Sequence, residues 1–447
     1  SASPASLQEL DALKAQLDAA EATIRETQEE NERLREELAG NKRKNAEVPE
    51  TRDWSEAKTR KMIIDVELRL AGWELDHEDD TEYEVTGMPN TRGIGYVDYV
   101  LWGADGKPLA LVEAKKTTVD PEVGKQQAKL YADCLEKMHG QRPIIFYTNG
   151  FRTEMWDDKF YPPRTVAGFY RREELERLIQ RRARRLSLLD EPINEEISGR
   201  PYQQRAIRRI GETFEGSHRK CLLVMATGTG KTRTAIALVD LLQRANWVKR
   251  TLFLADRISL VKQAVGAFKS HLPDSSPVNL ITEKEAEGRV YASTYPTMLS
   301  LINQRGREGK GRFGPGYFDL VIIDEAHRSV YQKYGAIFEY FDSLLIGLTA
   351  TPRDEIDRNT YELFQLEPGV PTDVYELNEA VRDGFLVPAR QLSVPLKYQR
   401  EGIKYDELSE EDKERWEELD WQEDEEGGTP DEVKAGAVNR WLFNEDT

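Results

Sequence analysis

A chain of 447 residues is long enough for two or three domains, each with a hydrophobic core of its own. Its only cysteines, Cys134 and Cys221, argue against a disulfide framework or a cysteine zinc site, and two ordinary thiols in a reducing compartment are expected. The sequence contains no run of 18 apolar residues and no signal-peptide pattern, which predicts a soluble, cytoplasmic protein without a membrane partner.

The net charge of −18 argues against nucleic-acid binding until its distribution is considered. Residues 401–447 carry 18 acidic and 5 basic side chains, a net of −13, so the first 400 residues carry only about −5. Within that part a basic cluster comprises Arg171, Arg172, Arg177, Arg181, Arg182, Arg184 and Arg185. Because local patches decide phosphate contact, the net charge does not exclude DNA as a partner.

Residues 7–39 show a heptad pattern of apolar residues, which predicts a coiled coil within a first unit, residues 1–45. The a positions are Leu10, Leu17, Ile24, Asn31 and Leu38, and the d positions are Leu13, Ala20, Thr27 and Leu34. Asn31 could set the register or the number of strands. A lone amphipathic helix packing on its own protein explains the same pattern, so a coiled-coil partner for residues 7–39 stays open.

Residues 46–190 are predicted to form a compact α/β domain. In chain order the predicted elements are a helix over 54–71, strands over 94–102 and 109–115, a helix over 121–139 and a strand over 143–148. The turn Gly103-Ala104-Asp105-Gly106 joins the first two strands into a hairpin.

Residues 191–390 alternate short apolar strands with helices, which predicts a parallel sheet with crossover helices. The predicted strands are 221–226, 251–255, 290–293, 320–323 and 344–348. Residues 391–447 are acidic and lack periodicity until 438–443, which predicts a linker or partly disordered tail.

The string MATGTGKT at 225–232 stands between an apolar strand and a predicted helix, where a glycine-rich loop binds phosphate. Gly228 and Gly230 let backbone N–H groups surround a β-phosphate. Lys231 is predicted to contact the β- and γ-phosphates of ATP, and the hydroxyl of Thr232 to bind Mg²⁺. The predicted nucleotide-binding residues of the loop are Thr227, Gly228, Thr229, Gly230, Lys231 and Thr232.

An acidic motif, DEAH at 324–327, ends the apolar strand at 320–323. Asp324 is predicted to hold Mg²⁺ through water, and Glu325 to polarise the water that attacks ATP. Either motif alone can arise as a chance glycine loop or a strand-end acidic pair. The two together in one α/β pattern predict an ATP-binding motor domain.

A second chemical site is predicted at Asp98, Glu113 and Lys115. Glu113 and Lys115 are two residues apart on one strand, so their side chains share a face, and Asp98 lies on the preceding strand of the hairpin. Asp98 and Glu113 would bind Mg²⁺, and Lys115 would orient or deprotonate water or offset charge in phosphodiester hydrolysis. For so short a pattern, a solvated strand face with ordinary charges is the default alternative.

Neighbouring residues favour the nuclease interpretation, since a charged trio on an otherwise apolar hairpin is costly without a role. Glu56 opens a helix upstream, from which it could approach the metal, and Gln127 and Tyr131 share a helix face downstream. The ensemble resembles the PD-(D/E)xK nuclease fold with its QxxxY element, which implies that Gln127 and Tyr131 help to position DNA or the metal site. Where that pattern has proline before Asp98, this chain has Val97.

Residues 201–390 resemble the first RecA-like domain of superfamily 2 helicases and translocases. The resemblance implies that Gln203 reads the adenine base, and that 253–257 and 293–295 touch the nucleic-acid backbone. It also implies that 348–352 couples hydrolysis to movement.

A nuclease of this type directly ahead of such a motor resembles the restriction subunit of type I restriction-modification enzymes. The resemblance covers 50–390 and extends to 438–447, a run that precedes a second RecA-like domain in that family. It implies ATP and Mg²⁺ as cofactors, duplex DNA as substrate, and docking on methyltransferase and specificity subunits. It also implies ATP-driven translocation and cleavage far from the recognition site.

The presence of a single motor lobe predicts that the chain is a fragment that binds ATP but sustains little turnover, because the transition-state arginine comes from the second lobe. Two other functions fit the motifs: a DNA-repair or anti-phage helicase-nuclease with another partner, and a non-catalytic interaction module. Co-purification with a DNA methyltransferase separates the first of these from a restriction subunit. Unchanged activity after Asp98→Ala would favour the second.

Overall fold

The computed structural model describes residues 59–304, 311–326, 328–387, 403–407, 413 and 432–433. Contacts divide the chain after Asp383 into two compact units, and the two large sheets both lie in the first unit. In the second unit, the described residues form one short antiparallel strand pair. The predicted coiled coil, Glu56, His327 and the run 438–447 lie outside the described residues.

The first sheet has six strands in chain order, and it falls where the sequence predicts a compact α/β domain. Its strands are β1 (Thr81–Thr86), β2 (Ile94–Trp102), β3 (Pro108–Ala114), β4 (Ile144–Thr148), β5 (Thr153–Trp156) and β6 (Arg164–Val166). Its helices are a π-helical turn (Arg60–Ile64) that continues into α1 (Asp65–Leu70), then α2 (Lys125–His139) and α3 (Arg172–Arg184). Only β3 and β4 pair in parallel, because α2 carries the chain back between them.

Helices cover both faces of the first sheet. Successive side chains of a strand point to opposite faces, so apolar neighbours in one strand need a helix on each side. Phe146 of β4 packs with Leu175 and Leu178 of α3 on one face. The adjacent Ile145 packs with Leu135 of α2 on the other. Strands β2, β3 and β4 correspond to the predicted strands, whereas β1, β5 and β6 were not predicted.

The second sheet has seven parallel strands in the order β13-β7-β12-β11-β8-β10-β9, which confirms the predicted mixed α/β architecture with a parallel sheet. The strands are β7 (Lys220–Met225), β8 (Thr251–Ala255), β9 (Val278–Asn279), β10 (Val290–Thr294), β11 (Leu320–Asp324), β12 (Leu344–Thr349) and β13 (Asp373–Tyr375). The helices are α4 (Pro201–Glu215), α5 (Lys231–Arg244), α6 (Ile258–His271), α7 (Tyr295–Asn303), α8 (Arg328–Tyr340), α9 (Arg358–Leu363) and α10 (Leu377–Arg382). In the second unit, β14 (Ile403–Lys404) pairs with β15 (Glu432–Val433).

In the second sheet, all carboxyl ends of the strands meet at one edge and all amino ends at the other. Ligands of open parallel sheets bind beyond the carboxyl ends, so that edge is where a nucleotide site is expected. Within the described ranges, no helix is long and apolar enough to cross a membrane.

Helix α3 joins the two sheets. Its leucines belong to the core of the first sheet. Two of its arginines contact residues 316–319, which lead into β11 of the second sheet. Arg177 donates from Nη2 to the carbonyls of Gly316 and Tyr317 at 3.0 and 3.1 Å, and Arg181 pairs with Asp319 at 2.5 Å. Much of the basic cluster at 171–185 therefore contacts protein.

Asp342 forms a second set of contacts between the two sheets. It lies between α8 and β12, and its side chain is only 10% exposed. Arg164 of β6 donates to both carboxylate oxygens at 2.6 Å, Arg219 donates at 2.8 Å, and the hydroxyl of Tyr170 also donates. Burial alone would raise the pKa of Asp342. The charges of Arg164 and Arg219 outweigh it and hold the pKa well below its ordinary range.

Replacing Asp342 with asparagine should lower the free energy of unfolding by about 3–5 kcal/mol at neutral pH, because two largely buried guanidinium groups lose their counter-charge. Since the folded-state pKa is depressed, the contribution is present above the unfolded pKa of about 3.9 and is lost as the pH falls through the folded value. Urea unfolding at several pH values measures both effects. Asp274→Asn, at an exposed site, is the control and should change stability by less than about 0.5 kcal/mol.

Candidate functional site

The glycine-rich loop leaves the carboxyl end of β7 and enters α5 at Lys231. Gly228 and Gly230 have φ values of +86° and +89°, a region that favours glycine. A Cβ at position 230 would also lie 2.7 Å from Nε2 of Gln203. Glycine is therefore required at 230 by both the backbone and a close neighbour.

The predicted adenine reader, Gln203, supports this loop directly. It is 3% exposed, and its Nε2 donates to the carbonyl of Thr229 at 3.0 Å while its Oε1 accepts from Ser198 at 3.1 Å. The hydroxyl of Tyr202 donates to the same Thr229 carbonyl at 2.7 Å. Thr229 in turn donates from its hydroxyl to Ala226 O at 2.6 Å. These bonds hold the loop in shape, and contact of Gln203 with a base stays a prediction.

The acidic motif faces the loop's lysine. Nζ of Lys231 lies 3.0 Å from Oε1 of Glu325, although 94 positions separate the residues. Glu325 has φ +56°, an uncommon and strained value for a residue other than glycine. Burial and the charge of Glu325 raise the pKa of the neighbouring Asp324 to about 6, against the opposing charge of Lys231. A further cation close to Asp324 would lower this pKa, as the charge of Lys231 does.

The other predicted motor segments share this edge of the sheet. Segments 253–257, 293–295 and 348–352 all overlap or follow carboxyl ends of strands. The hydroxyl of Tyr295 donates to the carbonyl of Asp324 at 3.1 Å, and Ala326 N donates to Leu348 O at 2.8 Å. Neighbouring segments are thus linked to the acidic motif by hydrogen bonds.

Residues predicted for cleavage meet on the first sheet. Tyr99 pairs with Val112, which places Asp98 of β2 beside Glu113 of β3. Oδ2 of Asp98 accepts from Ala114 N at 2.7 Å, and Nζ of Lys115 lies 2.6 Å from Oε1 of Glu113. Glu113 is only 2% exposed, so the trio is not the solvated strand face of the alternative interpretation.

Helix α2 adds the two accessory residues. Oε1 of Gln127 lies 3.5 Å from Nζ of Lys115, and its Nε2 donates to the hydroxyl of Tyr131 at 2.8 Å. Burial and the charges of Glu113 and Asp98 raise the pKa of Tyr131, although the bond from Gln127 opposes them. Five predicted residues on or next to β2, β3 and α2 therefore lie together: Asp98, Glu113, Lys115, Gln127 and Tyr131.

Glycine at 124 allows this approach. A Cβ there would lie 3.1 Å from Cε of Lys115 and 3.2 Å from Cγ of Glu113. The turn leading into α2 therefore packs tightly against the charged pair, and a larger residue would displace it.

Sequence reasoning missed Arg60, which lies in the π-helical turn. Its Nη1 donates to Oδ1 of Asp98 at 3.1 Å, its Nη2 to the Asp98 carbonyl at 3.4 Å, and it also pairs with Glu82. Arg60 is four residues after Glu56 in the sequence, and the helix predicted over 54–71 puts both on one face. That spacing was a signal that could have pointed to Arg60.

Both candidate sites have the donor chemistry that Mg²⁺ prefers. One or two carboxylates, with water and phosphate oxygens, usually suffice for that ion. Asp98 and Glu113 bring two carboxylates together at the first sheet, and Asp324 places one at the carboxyl end of β11 in the second. Among the described residues, no group of three or more His, Cys, Asp or Glu is placed to hold a metal by itself.

A phosphate-type loop on a parallel sheet, with an acidic strand end facing its lysine, is the arrangement of a P-loop domain. Residues 196–354 match the family model described as "Type III restriction enzyme, res subunit". The chain is also 26% identical over 178 residues to the DNA 3'-5' translocase XPB2 of Sulfurisphaera tokodaii, covering 40% of this chain and 36% of that protein.

Longer matches are to endonuclease subunits of type I restriction enzymes. The chain is 27% identical over 429 residues to the EcoKI subunit of Escherichia coli (strain K12), covering 76% of this chain and 36% of the relative. It is 32% identical over 333 residues to the EcoAI subunit of Escherichia coli, covering 70% and 39%. The chain thus spans less than two fifths of either subunit. These matches support a helicase region like that of type I endonuclease subunits.

One solved structure similar to this chain is a fragment of an HsdR subunit of a type I restriction enzyme from Vibrio vulnificus YJ016. It is 26% identical, covers 76% of this chain and 62% of that fragment, and superposes with a TM-score of 0.34.

Proposed function

We propose that this chain carries the nuclease and the first motor lobe of the restriction subunit of a type I restriction-modification enzyme. In this proposal it cleaves duplex DNA with Mg²⁺, uses ATP to translocate the duplex, and docks on methyltransferase and specificity subunits. The observation that supports it best is the coexistence of two charged sites, Asp98–Glu113–Lys115 and Lys231–Glu325, in a chain related to type I endonuclease subunits.

At the first sheet, bound Mg²⁺ would polarise the scissile phosphate and lower the pKa of a bound water. Asp98 and Glu113 would hold the ion. Lys115, already 2.6 Å from Glu113, would orient the attacking water or offset charge on the phosphate oxygens. Gln127 and Tyr131 would position the DNA strand beside Lys115, and Glu56 is proposed to approach the same metal.

At the second sheet, Lys231 would exchange its contact with Glu325 for the β- and γ-phosphates of ATP. Glu325 would then be released to polarise the attacking water, while Thr232 and Asp324 hold Mg²⁺. The ion pair thus keeps the proposed general base occupied until a nucleotide arrives. Gly228, Thr227 and the remaining loop residues would surround the phosphates with N–H groups.

The 447-residue polypeptide, expressed alone, should bind ATP but hydrolyse it slowly. Among their three sheets, the described residues include one seven-stranded parallel sheet, and we assign the transition-state arginine to a second lobe. Calorimetry with a non-hydrolysable ATP analogue and phosphate release with duplex DNA measure the two properties. Robust DNA-stimulated turnover by this polypeptide would contradict the expectation.

The proposed partners are a methyltransferase and a specificity subunit, and co-purification tests them. A tagged full-length parent protein, purified from its native cells, should retain a DNA methyltransferase and a specificity subunit, and the complex should cleave DNA only with ATP and Mg²⁺. Recovery of a repair or anti-phage complex without a methyltransferase would favour the alternative helicase-nuclease. Pull-down of the chain with and without residues 1–45 tests a coiled-coil partner, which only the longer form should retain.

A further inference from the structure

A basic pocket lies where α3 meets the second sheet. It is a cavity of about 270 Å³ whose lining includes five cationic side chains and no carboxylate. The cations are Arg177, Arg181, Arg184, Lys249 and Arg289. Charged side chains of one sign gathered round a cavity repel one another unless a counter-ion is present.

The pocket lies at the opposite edge of the second sheet from the nucleotide site. Lys249 stands just before β8 and Arg289 just before β10, so both belong to the amino edge of the parallel sheet. The phosphate-type loop occupies the carboxyl edge. The pocket therefore cannot be part of the nucleotide site at Lys231.

Protein groups balance this positive charge only in part. Asp319 pairs with Arg181 and accepts from the backbone N–H groups of Lys249 and Arg250. Arg184, Lys249 and Arg289 are exposed and form no ion pair with a carboxylate within the described part of the chain. Desolvation and the charges of Arg177, Arg250 and Arg289 lower the pKa of Lys249.

Two buried donors of the lining also lack an acceptor among the described residues: Nε of Arg177 and Nε2 of Gln243. Arg177 is 7% exposed and is held by the bonds from its Nη2 to Gly316 and Tyr317. Gln243 is held by its Oε1, which accepts from Ser275 at 2.7 Å. Buried donors are rarely left without partners, so an anion with several acceptor oxygens fits this lining.

We propose that this pocket binds a phosphate group, contributed either by a nucleic-acid backbone or by a small polyphosphate. A phosphate presents several anionic oxygens, and guanidinium groups bind such oxygens through paired N–H donors. A cavity of about 270 Å³ holds several molecules of water size, at about 30 Å³ each, and so has room for one or two phosphate groups. Because α3 packs on the first sheet, the bound phosphate would lie at the junction of the two domains.

The test compares two variants of the full 447-residue chain that differ in which pair of cations is removed. Arg184→Gln with Lys249→Gln removes two exposed cations of the pocket, and Lys262→Gln with Arg382→Gln removes two exposed cations elsewhere. Both sets also carry Lys231→Ala, which removes the loop lysine as a competing phosphate site. Calorimetry with inorganic pyrophosphate and anisotropy with a short duplex DNA are done without Mg²⁺ or ATP.

If a small polyphosphate is the ligand, the pocket variant should bind pyrophosphate roughly tenfold more weakly than the control variant. If the nucleic-acid backbone is the ligand, duplex affinity should fall instead, and the slope of log affinity against log salt should become less steep by about 2. The proposal would be overturned if the pocket variant bound each probe as tightly as the control variant does. Saturable binding of poly-glutamate with no binding of either phosphate probe would also overturn it, because the pocket would then be a carboxylate site.

Discussion

Replacing Lys231 with alanine should abolish ATP-driven translocation by the assembled complex, and restriction with it. Lys231 is the loop cation at the start of α5, and its ion-pair partner Glu325 belongs to the proposed hydrolytic pair. Removing one such cation from a phosphoryl-transfer site should lower ATP turnover by at least about 10²–10³-fold. Cleavage should disappear as well, since it is proposed to follow translocation.

Phosphate release in the presence of duplex DNA measures the turnover, and cleavage of circular DNA measures restriction. Arg244→Ala is the control, because Arg244 ends the same helix on its far side and contacts Glu191 and Asp240 there. Its complex should keep ATP turnover near the wild-type rate. A Lys231→Ala complex that retained turnover within a few-fold of wild type would refute the assignment of the ATP site.

Replacing Lys115 with alanine should abolish DNA cleavage and leave ATP turnover unchanged. Lys115 contacts Glu113 of β3 and Gln127 of α2, whereas the phosphate-type loop follows β7 of the second sheet. Loss of one positioned charge at a phosphodiester-cleaving site should cost about 10²–10³-fold in rate. ATP turnover should persist because the second site keeps all its residues.

Lys116 offers a matched control, since it is the next residue, carries the same charge and is exposed. Lys116→Ala should cleave DNA at close to the wild-type rate. If Lys115→Ala also cleaved normally in the complete complex, the first sheet would not hold the nuclease. The interpretation as a non-catalytic interaction module would then gain support.

Local sequence patterns are enough to predict which residues of each candidate site lie together. Glu113 and Lys115 needed only strand alternation and a hairpin to share a face, and Gln127 and Tyr131 needed only a helical repeat. The phosphate-type loop and the acidic motif follow buried strands, so their placement depends on parallel-sheet topology alone. The strand, loop and helix patterns that position these residues can each be read from a short stretch of sequence around them.

Long-range contacts could not be predicted in the same way. Arg60 reaches Asp98 only because the first helix packs beside β2, and no local pattern states that packing. The sequence shows the arginines at 171–185 only as a basic cluster, whereas the structure shows that Arg177 donates to the carbonyls of Gly316 and Tyr317 and that Arg181 pairs with Asp319. The short edge strands β9 and β13 contain two and three residues, too few for a periodic signal.

We propose that this chain holds two separate sites, one for cleavage and one for ATP. The most direct test assays DNA cleavage and ATP turnover side by side in complexes that carry Asp98→Ala or Lys231→Ala. We expect the Asp98→Ala complex to hydrolyse ATP at the wild-type rate without cutting DNA, and the Lys231→Ala complex to do neither. DNA cleavage by the Asp98→Ala complex at the wild-type rate would contradict the account.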